Sequence, residues 1–73
     1  MTNIKYYFID RSGKATEFYK NILAKGKDLW TFIMLKHIEN QTPLEVGDAM
    51  IARDELIEAG LQWGKDFYIK KEG

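Results

Sequence analysis

Not one of the 73 residues is a cysteine, so no covalent staple is available and one small hydrophobic core must carry the fold. The ten aromatic side chains (two Trp, four Tyr, four Phe) have to supply much of it, because a chain this short buries only roughly 60 to 65% of its unfolded surface. A second core could not be closed, which predicts one domain over residues 1–73. The missing thiols also exclude a disulfide scaffold, thiolate catalysis and cysteine-bound zinc, and they suit a reducing, cytoplasmic setting.

The segment Ile4 to Ile9 is rich in aromatic and β-branched residues and ends at Asp10-Arg11-Ser12-Gly13-Lys14. Asp at the first turn position and Gly at the fourth match a type I turn followed by a left-handed glycine. This predicts a hairpin whose second strand sets Thr16 opposite Phe8 and Phe18 opposite Tyr6. Ile4, Tyr6, Phe8, Phe18 and Ile22 then face the core, and Lys5, Tyr7, Ile9, Ala15, Glu17 and Tyr19 face away.

Gly26, between Lys25 and Lys27, reads as a loop, and Asp28 is placed to cap the next element. Leu29 to Gln41 contains no Gly or Pro, and helical spacing groups Trp30, Ile33, Met34, Leu35 and Ile38, which favours a helix; the rival is a buried strand over residues 29–35. Thr42-Pro43-Leu44-Glu45 carries a helix-start signature, with Thr as N-cap, Pro at the first helical position and Glu three residues after the cap. A second start capped by Asp48 is the alternative. The body runs from Ala49 to Ala59, with Ala49, Ala52, Leu56 and Ala59 as a packing stripe, and Gly60 ends it. Asp66 to Lys70 reads as a final short strand, with Phe67 and Ile69 on one side and Tyr68 and Lys70 on the other. The expected fold is α+β, a small antiparallel sheet of about three strands with two helices on one face, in the order β-β-α-α-β.

Eleven basic and eleven acidic residues cancel, so no global field draws the chain to nucleic acid or anionic lipid. Their distribution is uneven: residues 1–41 hold seven basic against four acidic residues, and residues 42–61 hold Arg53 against five acidic ones. A helix bearing Asp48, Asp54, Glu55 and Glu58 would repel phosphate, which excludes it as the recognition helix of a helix-turn-helix. No secretion signal, membrane-spanning run or lipidation motif is present, which predicts a soluble protein with no membrane partner.

Inventory argues against catalysis and cofactors. His37 is the single imidazole and there is no thiolate to join it, which predicts no metal site, and Ser12, the single serine, is explained by its turn. Asp54, Glu55 and Glu58 read as a solvated acidic face. Gly60-Leu61-Gln62-Trp63-Gly64-Lys65 misses the phosphate-loop spacing and joins a helix to a strand in the wrong order. These readings predict a protein that is not an enzyme and needs no cofactor.

The candidate working surface is therefore the outward sheet face: Lys5, Tyr7, Ile9, Tyr19, Tyr68 and Lys70. Tyrosines among lysines suit a protein partner, through large and stiff amphipathic area, or single-stranded nucleic acid, through base stacking beside phosphate contacts. A secondary surface comprises Leu29, Phe32 and Lys36, which fall off the buried stripe of their helix, together with Trp63, whose loop is expected either to cover that helix or to leave it for a partner.

With its compact, cysteine-free composition and aromatic surface candidates such as Tyr7 and Tyr19, the chain resembles, at the level of size and composition, the small phage-encoded host-takeover proteins. Some of these bind bacterial RNA polymerase and inhibit initiation or alter termination. The resemblance implies a non-enzymatic regulator of transcription that docks on a larger host protein in the host cytoplasm, with RNA polymerase as a candidate partner; the chain itself is expected to be a monomer, the alternative being a homo-oligomer joined through the open sheet edge.

Overall fold

In a computed structural model of the chain, residues 4–26 and 28–73 are described. Lys27, one of the two lysines flanking Gly26, and the N-terminal residues 1–3 lie outside them. The elements are β1 (Lys5–Asp10), α1 (Lys14–Lys25), α2 (Leu29–Asn40), α3 (Val46–Glu58) and β2 (Phe67–Glu72). The class is α+β, as expected, but among the described residues the order is β-α-α-α-β and the sheet has two strands.

The difference arises at one carboxylate. Asp10 accepts hydrogen bonds from the backbone N–H groups of Gly13 (3.1 Å), Ala15 (3.4 Å) and Thr16 (3.0 Å) and from the Thr16 hydroxyl (2.6 Å). Gly13 is left-handed, with φ 80°, as the turn chemistry predicts. The chain leaving it enters a helix instead of returning as a strand, because Asp10 satisfies donors that the first helical turn would otherwise leave unpaired. Ala15, Phe18, Tyr19, Ile22 and Leu23 recur at three- and four-residue intervals, and all five lie in or against the core. Thr16 and Phe18 therefore do not face Phe8 and Tyr6; Ile69 and Lys71 do.

β1 and β2 come from opposite ends of the chain and pair antiparallel, from Lys5 with Glu72 to Asp10 with Phe67. Phe8 and Phe67 are buried, and their rings stack 5.4 Å apart at an interplanar angle of 5°. Such a pair adds about 1 kcal/mol beyond the area it buries. Met34, Leu35 and Ile38 from α2 and Ala49, Ala52 and Leu56 from α3 complete the core with Ala15 and Tyr19.

α2 is the helix that its spacing predicts. Asp28 caps it, accepting from Trp30 N–H at 3.2 Å and from the buried Thr31 hydroxyl at 2.8 Å. Ile33, grouped with the buried stripe by spacing, is instead 44% exposed. α3 starts at Val46, three residues later than the Thr42-Pro43 signature predicts, and Asp48 does not interrupt it. Leu44 is buried, and its N–H donates to the Tyr6 carbonyl at 2.6 Å, adding one isolated rung to the free edge of β1. Core burial of Leu44 thus overrides the local cap, and the Thr42 hydroxyl turns to His37 Nδ1 at 2.6 Å. Gly60 ends α3 as expected: at φ 100° it donates to Ile57, while Leu61 N–H reaches back to the Leu56 carbonyl.

Candidate functional site

Antiparallel pairing sends directly opposed residues to the same side of the sheet. The pairs Lys5 with Glu72, Tyr7 with Lys70 and Ile9 with Tyr68 therefore form one face, and Tyr6, Phe8, Phe67, Ile69 and Lys71 belong to the other. Tyr6 and Ile69 pack against the core, whereas Tyr7, Ile9 and Tyr68 are not among the side chains packed there. The helices thus cover one face and leave the other bare. Lys5, Lys70 and Glu72 are exposed on it, with Tyr7, Ile9 and Tyr68 half-buried.

Five of the six residues expected on the outward face, Lys5, Tyr7, Ile9, Tyr68 and Lys70, are brought together there. Tyr19 is not. On α1 it is fully buried, edge-on to Phe18 and Trp30 at 5.3 and 6.0 Å, and its hydroxyl donates to Glu55 at 3.4 Å. Burial first, and the Glu55 charge second, push its phenol far above the ordinary tyrosine range. Glu55 is accordingly half-buried rather than part of a solvated acidic face, and burial raises its own carboxyl.

The bare face is less cationic than its lysines suggest. Lys70 Nζ lies 2.7 Å from Glu72, and this hydrogen bond and charge, with the nearby Tyr68 and Tyr7, hold the ammonium pKa above its usual value. Glu72 belongs to the site but lies beyond the strand boundary that the sequence suggested; two-residue alternation carried past Lys70 would have found it.

The secondary candidates divide. Leu29 (73% exposed), Phe32 and Lys36 share one side of α2, with Lys36 Nζ 5.3 Å from the centre of the Phe32 ring. Beside them a groove of about 460 Å³ is lined by Leu23, Asp28, Leu29 and Phe32. Trp63 is elsewhere: it packs edge-on against Phe67 at 5.6 Å and joins Val46 and Met50 of α3 in a second groove. The loop after Gly60 therefore does not supply a Trp63 cover for Leu29 and Phe32. Sequence reasoning missed Val46, Met50 and Ile57, all about half exposed on one flank of α3; their spacings of four and seven residues were the available signal.

Among the described residues, no three His, Asp or Glu side chains converge as a metal site, and no helix is long and apolar enough to cross a membrane. No protein-family model matches the chain, and neither the curated proteins nor the solved structures include a significant match to it.

Proposed function

We propose that the chain is a non-enzymatic regulator that acts by docking its bare sheet face on a larger protein. The observation that carries this reading is the cluster of Tyr7, Ile9 and Tyr68, bordered by Lys5 and Lys70, on the side of the sheet away from the core. Large amphipathic rings on a sheet lose little conformational entropy on contact and exclude water well, which suits a protein interface. The second reading, single-stranded nucleic acid on the same face, is disfavoured by Glu72, which occupies the Lys70 ammonium and sets a negative charge where phosphates would lie. Bacterial RNA polymerase is the partner that the resemblance to host-takeover proteins suggests.

The test is capture of a partner from bacterial lysate on the immobilised chain, with and without nuclease, followed by titration of the purified partner. Retention should survive nuclease, and Tyr7→Ala or Tyr68→Ala should each weaken binding by about 1 to 3 kcal/mol with little salt dependence. Retention that nuclease abolishes, or affinity indifferent to both substitutions, contradicts the proposal.

A further inference from the structure

The bare face leaves one margin of the sheet unexplained. Arg11 N–H donates to the Asp66 carbonyl at 2.9 Å, which fixes the direction of the ladder. Tyr68, Lys70 and Glu72 turn their backbone groups toward β1, and Phe67, Ile69 and Lys71 turn theirs outward. The Phe67 carbonyl accepts from Gly64 N–H at 2.7 Å. Those of Ile69 and Lys71 have no backbone partner among the described residues. On the helix side of the sheet, reaching from Tyr6 of β1 to Ile69 and Lys71 of this edge, lies a groove of about 200 Å³ that Val46, Met50, Arg53 and Trp63 also line. Val46, Met50 and Trp63 are 50%, 47% and 50% exposed.

We propose that this edge and groove bind an extended segment of another protein whose groove-facing side chains, every second residue, are in turn acidic and apolar, by strand addition to β2. Main-chain bonds to Ile69 and Lys71 fix its position, and the period-two geometry of a strand sends alternate side chains into the groove. The charges choose the occupant. Lys71 makes no ion pair among the described residues, and Arg53 meets only the exposed Asp54, at 3.2 Å, so both cations can receive carboxylates. A second copy of this chain is opposed by the same residues, because pairing β2 with itself about Ile69 and Lys71 crowds Lys70 and Lys71 of each strand together. This site is independent of the docking face described above, since Tyr7 and Ile9 contribute nothing to it.

The probe is an acetylated, amidated heptapeptide, Thr-Glu-Thr-Val-Thr-Glu-Thr, which presents two carboxylates and an apolar side chain on one strand face, titrated into the intact chain while amide exchange is followed by NMR. At a peptide concentration nine times its Kd, exchange at Ile69 and Lys71 should slow about tenfold, since only the free chain exposes these amides. Met50→Glu should raise the Kd by about tenfold through repulsion in the groove, and Tyr7→Ala should leave it unchanged. Exchange at Ile69 and Lys71 that stays fast in saturating peptide overturns the proposal. So does equal binding of the counterpart with Lys for Glu, or protection that grows with the concentration of the chain alone.

Discussion

The buried carboxylate of Asp66 ties β2 to the start of α1. It accepts from Gln62 N–H at 2.8 Å and lies 3.7 Å from Lys14 Nζ, while its carbonyl receives Arg11 and Ser12 N–H groups at 2.9 and 3.1 Å. The Gln62 bond above all, helped by Ser12 and Lys14 against the opposing effect of burial, holds its pKa below the ordinary carboxylate value. A carboxyl that is more acidic folded than unfolded adds stability that is fully present above its unfolded pKa of about 4 and is lost as pH falls through the lower folded value. Urea midpoints measured from about pH 6 to about pH 2 should therefore show the advantage of wild type over Asp66→Asn shrinking in the acid range. A constant difference across that range would show that the ionised form adds nothing. Tyr19 gives the complementary lesson. Alternation along a strand turns it outward, but its neighbours at helical spacing, Ala15, Ile22 and Leu23, were visible in the same segment, and the helical period is the one that buries an aromatic ring.

At the scale of elements, the sequence made α2, the end of α3 and β2 legible, because each has a clear period and a stop or cap that the tertiary structure leaves in place. α1 and the start of α3 were misread for opposite reasons. At α1 the turn residues were identified correctly, but Asp-x-x-Gly serves a hairpin and a helix entry alike, and only the donors that Asp10 meets decide between them. At α3 a good local cap is present in sequence and unused, since Leu44 gains more by entering the core. Asp10→Ala should destabilise the chain by about 2 kcal/mol, the upper end of the range for a helix cap, because four donors lose their acceptor. Urea denaturation reads this directly, and a loss under about 0.5 kcal/mol would mean that Asp10 does not direct α1.

For the whole molecule, the radius of gyration of 11.9 Å compares with about 11 Å for a compact chain of this length. Two strands alone are marginal in water, so the sheet persists because three helices pack on one side of it. Phe67→Ala, which removes a fully buried ring stacked on Phe8, should cost about 3 to 5 kcal/mol, a large part of the stability of a small domain. Thermal melts check this, and a drop of only a few degrees would place the core elsewhere. Covering one face leaves Tyr7, Ile9 and Tyr68 on the other, the part of the candidate site that strand alternation did reveal. The direct measurement is hydroxyl-radical footprinting of the free chain and of its complex with the captured partner. Tyr7 and Tyr68 should oxidise readily when free and become protected several-fold when bound, with Tyr19 unreactive in both states. Equal oxidation of Tyr7 and Tyr68 in the two states would contradict docking through this face.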